Sequence, residues 1–320
     1  MDGAPSGAGL RAIFLSSLRA YFAYQRLSDC ALVQVHLQED TPMSLKVVSW
    51  ILLLAISIST ILLFNYWASY QPLSTLAYTG IVMALLGVAN LAVPFRFLGI
   101  RKRAIGTLVL VCGVAIGFTA LLWPASMIRV AQHKTQLDDI MPEYQFSERH
   151  SQRIHARPGP VMNAIRQSTL GELKSYILLM KIRGMALRRP YRDPGNFQDV
   201  RVLDALSSPG SGYIPLASSE QEIVMGGVGS AVSRRREVNS LPEFAAYSQE
   251  GGVKVAFNLR VEDTGDGWSK VNTETRVLAL DDLSRPIMTR YWRLIVPGSG
   301  LIRRQWLESI KRRAETAPNS

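Results

Sequence analysis

His150 and His155 are the two histidines within residues 144–316, and imidazole is the side chain whose protonation changes nearest neutral pH. Set five apart in one strand, they point to opposite faces and do not converge on a shared ion or proton. A zinc site takes three or four convergent nitrogen, sulfur or carboxylate ligands, and both cysteines, Cys30 and Cys112, lie outside this stretch. No metal and no cofactor is expected. His155 is the candidate acid or base, set against the plainer reading of an exposed or hydrogen-bonded strand residue, and no nucleophile elbow marks a partner serine. Asp281 and Asp282 stand where carboxylates favour the positive end of a following helix, a better account of them than paired catalysis. Gly226-Gly227-Val228-Gly229 lacks the Lys-Ser/Thr of a phosphate loop and the final glycine of a dinucleotide fingerprint. Catalytic residues are not assignable, and an enzyme is the less favoured class.

The residues with the best claim to a ligand are mostly apolar. Val253, Val255, Phe257, Leu259 and Val261 alternate with Lys254, Ala256, Asn258, Arg260 and Glu262, a period of two that predicts a half-buried antiparallel strand. Asp263, Gly265, Asp266 and Gly267 supply turn chemistry. Val271, Thr273, Thr275, Val277 and Ala279 then alternate with Lys270, Asn272, Glu274 and Arg276, completing a hairpin in which Arg260 and Glu274 can pair. The shared face, with Tyr291 or Trp292 from the last helix, makes a candidate ligand-binding wall of Val255, Phe257, Leu259, Val271, Thr273, Thr275 and Val277. Its plainer reading is a filled core. Glu274 and Arg276 fall on the opposite, polar face.

Other elements must position this hairpin. Residues 144–156 read as a strand, and Arg157-Pro158-Gly159-Pro160 as a breaker and helix entry before Val161, Ile165 and Leu170. Residues 176–187 carry Ile177, Leu178, Met180, Ile182 and Met185 at helical spacing, read as a core-facing helix. A short helix is expected at 197–206 and weaker strands at 212–216 and 221–232, with Gly226, Gly227 and Gly229 marking a bulge or bend. In residues 281–315 one stripe holds Ile287, Tyr291, Leu294 and Ile295, and another Ile302, Trp306 and Ile310. Pro297-Gly298-Ser299-Gly300 between them allows two helices, with Ser299 as a cap, or one kinked helix.

The fold class is therefore α+β, with a soluble domain of curved antiparallel sheet and long C-terminal helix following a membrane region. The order and texture of residues 144–315, above all 148–164, the 253–277 hairpin, and Tyr291-Trp292-Arg293 leading to Arg303-Arg304, resemble the helix-grip domains of the START and SRPBCC superfamily. The resemblance implies an apolar cavity between sheet and helix that receives a lipid or other hydrophobic molecule, and it brings no catalytic motif with it.

Three uncharged apolar runs, 47–67, 73–95 and 104–123, are each long enough to cross a bilayer as a helix. Trp50, Tyr66, Trp67, Tyr70, Tyr78 and Trp123 near their ends suit the headgroup region. The second connection holds Arg96, Arg101, Lys102 and Arg103 and the first holds no charge, so the second faces the cytoplasm. Three crossings then put the N-terminus inside and the soluble domain outside, in the cell membrane. Residues 1–45 read as an N-terminal extension, with an amphipathic stretch at 10–24 and no cleavable signal. Met43-Ser44-Leu45-Lys46 would itself serve as a start. Residues 125–143 read as a linker, 144–316 as the soluble domain and 317–320 as a tail.

Composition averages these unlike halves: 48% hydrophobic overall, yet a formal charge of +11 from 36 Lys and Arg against 25 Asp and Glu. Basic clusters at 181–192, 234–236, 303–304 and 311–313 suit nucleic acid or anionic lipid, and a membrane anchor favours lipid. Arg188, Arg189, Arg303 and Arg304 are the candidate membrane-surface residues, bilayer lipids the expected partner, and no nucleic acid is expected. The first function expected is a membrane-anchored binding module for a lipid or other hydrophobic small molecule. A cyclase- or hydratase-like enzyme in the same cavity is the alternative. A third is a sensor or assembly protein that uses Gly80, Ala84, Gly87, Ala89, Gly106, Gly113 and Gly117 for close helix packing.

Overall fold

A computed structural model describes residues 71–92, 103–186, 197–232 and 236–316. The first apolar run, the N-terminal extension, and Arg188 and Arg189 lie outside these residues. Among the described residues two helices are long and apolar enough to cross a membrane, α1 (Pro72–Ala92) and α2 (Arg103–Leu122). They form a tight antiparallel pair because glycines let the backbones touch. A Cβ on Gly80 would stand 2.3 Å from Gly117 N, and one on Gly113 2.5 Å from Ala84 N. The small-residue stripe, expected as a contact surface for assembly, is thus occupied within the chain. Ala89 is the exception and is exposed. Leu85, Leu108 and Phe118 point away from the pair and are exposed.

The rest of the chain is an antiparallel five-stranded sheet, order β3-β7-β6-β5-β4, with a long helix across one face. Its elements are β1 (Ile128–Arg129), α3 (Gln136–Ile140), β2 (Glu143–Tyr144), β3 (Phe146–Ile154), α4 (Pro158–Gln167), α5 (Tyr176–Ala186), α6 (Val202–Ser207), β4 (Tyr213–Ser218), β5 (Glu222–Ser230), α7 (Leu241–Ala246), β6 (Gly252–Gly265), β7 (Trp268–Ala279) and α8 (Ser284–Thr316). The expected hairpin is β6–β7. Asp266 (φ 52°) and Gly267 (φ 75°) make its two-residue turn in the left-handed geometry that matches strand twist. Arg260 faces Asn272 and ion-pairs with Glu262, while Glu274 pairs with Arg149 and Arg276.

α8 is one continuous helix of 33 residues with Pro297 inside it. Asp281 starts it by accepting the Ser284 backbone N–H at 2.7 Å, the helix-end role expected of that carboxylate. Of the two alternatives open at 297–300 the chain takes the single helix, with packing on both sides of Pro297: Val296 and Gly300 are buried, and Leu179 of α5 lies against Gly298. The irregularity expected at the β5 glycines instead falls in β4, between Pro215 and Ala217. Gly226 answers to packing, since a Cβ there would stand 2.2 Å from the Leu216 side chain.

The hairpin strands are buried on both faces. The outer face is covered by residues read as a linker: Leu137 and Met141 pack with Tyr144, Val224, Val228, Ala256 and Phe244. Arg276, 2% exposed, lies under α3 and bonds Asp138 at 2.5 Å, Glu274 at 2.8 Å and the Met141 carbonyl at 3.0 Å.

Candidate functional site

The inner face of the sheet meets α8 in two separate apolar clusters. Near the start of α8, Met288, Trp292 and Val296 pack on Phe146, Val253, Val277 and Ala279, with Val255 and Tyr291 at the margin. Near its end, Trp306, Leu307 and Ile310 join Phe257, Leu259, Val261, Val271, Ile223 and Met225, closed by α4 and α6. The expected wall is divided accordingly: Val255, Val277, Tyr291 and Trp292 belong to the first cluster, and Phe257, Leu259 and Val271 to the second. Thr273 and Thr275 stand on the same face, both buried. Burial raises the Tyr291 pKa, and contact with Arg183 opposes that shift.

What lies between the clusters is polar. In β3, Glu148 and His150 share the inner face with Phe146 and Ile154, opposite Thr275 and Thr273 of β7. The His150 Nε2 and Glu148 Oε1 atoms are 2.8 Å apart in a fully buried pair. Glu148 Oε2 and Trp292 Nε1 are buried without a hydrogen-bond partner. The Thr273 hydroxyl donates to the Asn258 carbonyl at 2.6 Å.

Arg303 completes the belt. Expected at a membrane surface beside Arg304, it turns inward because it shares a helical face with Val296, Gly300, Leu307 and Ile310, all buried. Its guanidinium lies 3.9 Å from the centre of the Phe257 ring and 5.5 Å from that of Trp306, with Tyr213 edge-on to Phe257 at 5.9 Å. Burial lowers the Arg303 pKa, while Tyr213 and Glu148 favour its charge. An arginine stays cationic at neutral pH, and this one has no hydrogen-bond partner among the described residues.

A cleft of about 510 Å³ opens between edge strand β3 and α8 and reaches His150 and Leu307. Its lining holds four basic residues, Arg149, Lys174, Arg304 and Arg312, against two acidic ones, Glu172 and Glu308. His155 lies away from this region. It is exposed, stacked on Trp268 at 4.6 Å, with its backbone N–H on Glu315. Among the described residues no three His, Cys, Asp or Glu side chains gather as metal ligands.

Sequence reasoning missed Glu148, His150 and Arg303 as neighbours. The available signal was a carboxylate and an imidazole on the apolar register of β3, two residues apart and flanked by Phe146 and Ile154. Comparison with protein-family models, with curated proteins and with solved structures yields no match.

Proposed function

We propose that this protein is a membrane-anchored module that takes a lipid or other hydrophobic small molecule between the sheet and α8, with the polar end of the molecule at the Glu148–Arg303 belt. The observation that carries the reading is a guanidinium without a hydrogen-bond partner, set against aromatic rings and within electrostatic reach of a buried carboxylate whose second oxygen is also unpartnered. Arg303 is half-buried against aromatic rings and the Glu148 oxygen is a buried unpaired acceptor, which costs about 1–3 kcal/mol as it stands, and a ligand head with a donor and an acceptor would engage both. Apolar clusters on either side suit the rest of such a molecule. The helix-grip resemblance supports the same reading, as does the cleft that leads in from β3.

Lipid mass spectrometry of the full chain purified in mild detergent tests it. A retained hydrophobic molecule is expected, and Arg303→Met should weaken its retention about 10–100-fold, the worth of a charged hydrogen bond. A chain that carries nothing and takes up none of a broad lipid panel overturns the proposal. The Glu148–His150 pair favours a second reading, acid–base chemistry on the bound molecule. A bound molecule recovered unaltered from wild type and from Glu148→Gln alike would exclude it.

The sidedness proposed is a soluble domain opposite the basic 96–103 connection, outside the cell. Thr264→Cys in a chain without Cys30 and Cys112 should react with an impermeant thiol reagent on intact cells. Reaction only after permeabilisation places the domain in the cytoplasm.

A further inference from the structure

α5 is an apolar helix that the described residues barely cover. Of residues 176–185 only Gly184 is fully buried, while Leu178 (63% exposed), Ile182 and Met185 (72%) form a stripe at i, i+4 and i+7. Lys181 and Arg183 are exposed beside it, and by sequence Arg188 and Arg189 follow. A second such face lies on the first half of α8, where Ile287 and Leu294 are exposed with Arg290 between them and Leu283 exposed just before the helix.

Both faces adjoin the membrane helices. The Tyr78 hydroxyl of α1 donates to the Leu294 carbonyl at 2.5 Å, and the Arg293 guanidinium of α8 bonds the Ala120 and Trp123 carbonyls at the end of α2. Tyr78 is six residues into α1, about 9 Å below its first residue at 1.5 Å per residue, so Leu294 sits beside the apolar span. α5 descends to the same level: Ser175 meets Gln305, Leu179 meets Gly298 and Arg183 meets Tyr291. Its exposed stripe continues past Arg183 to Met185.

We infer that the bilayer itself covers these faces: α5 and the first half of α8 lie in the membrane interface, with Leu178, Ile182, Met185, Ile287 and Leu294 among the acyl chains and Lys181, Arg183 and Arg290 at anionic headgroups. An apolar stripe edged by basic residues is the pattern that binds an interface, and here it is continuous with the lipid-facing surface of α1 and α2. The inference rests on the crossing of the membrane by α1 and α2 and not on the bound ligand.

The test uses the full chain, without Cys30 and Cys112, in nanodiscs of phosphatidylcholine and phosphatidylserine. A fluorophore is attached in turn to Ile182→Cys, Ile287→Cys, Val114→Cys on the exposed side of α2 near its middle, and Thr264→Cys at the β6–β7 turn. That turn is about 40 Å up the strands from Val253. Lipids brominated near the top of the acyl chain should remove about half or more of the emission at 182 and 287, leave 264 bright, and reduce 114 less than deeply brominated lipids do. Labels at 182 and 287 as open to aqueous iodide as that at 264 overturn the inference. So do labels shielded from both quenchers, which identify protein as the cover, a second copy of the chain or residues of this one outside those described. A label at 114 untouched by any brominated lipid overturns the crossing and the inference with it. Lipid mass spectrometry on the same preparation reads ligand retention separately.

Discussion

Arg276 is a charge taken wholly out of water, and its partners come from different parts of the chain. Asp138 and the Met141 carbonyl belong to the segment before β3, and Glu274 to its own strand. Arg276→Ala should destabilise the domain by about 3–5 kcal/mol, because it leaves Asp138 buried and uncompensated, while Arg276→Met with Asp138→Leu should recover much of the loss. Chemical denaturation followed by near-UV circular dichroism checks both. Burial alone would raise the Asp138 carboxyl, but the Lys134 N–H, Arg276 and Thr135 hold it down at about 2. Since this lies below the ordinary 3.8, the stabilisation is complete above pH 3.8 and lost as the pH falls towards 2. An acid titration of wild type should show that loss, and Asp138→Asn should lack it. Side-chain alternation made the faces of Glu274 and Arg276 legible in the sequence. Their burial was not, because the cover comes from a stretch whose only signal was Leu137 and Met141 four residues apart.

At the scale of elements, β6 and β7 were readable because alternation and an Asp-Gly turn agree, and local and tertiary preference coincide there. α8 was readable as a long C-terminal helix, but Pro297 and three small residues left one helix or two open, and the packing of Val296, Gly300 and Leu179 around them favours one. Gly226 was noticed as part of a bulge or bend; its ladder with β6 is unbroken, and what it visibly provides is room for Leu216. Gly226→Ala should cost about 1–3 kcal/mol by overpacking, measured as a lowered denaturation midpoint, and Leu216→Ala in the same chain should offset part of it. In the helical pair, Gly113→Leu should separate α1 from α2, since even a Cβ meets the Ala84 backbone. Lower resistance of the pair to heat in detergent would report it.

In the molecule as a whole, the sheet domain and the α1–α2 pair are joined by polar contacts that no local pattern announces. Tyr78 donates to the Leu294 carbonyl across 216 residues of sequence, and Gln71 donates to the Ser147 carbonyl at 2.7 Å. Arg293 satisfies carbonyls that the end of α2 leaves open. Arg293→Ala should leave the unfolding of the soluble domain nearly unchanged and expose residues 123–127 to protease, readable by limited digestion and mass spectrometry.

The same fixture ties the sheet domain to the helical pair through one element. α8 runs about 35 Å from Arg293 to its end at Thr316, held at its foot by the carbonyls at the end of α2 and at its top by the packing of Trp306, Leu307 and Ile310 and by Arg313 on Glu172. A change of about 10° in the tilt of the α1–α2 pair corresponds to about 6 Å over that length, and it should be felt where α8 borders the β3 edge, along the cleft between them.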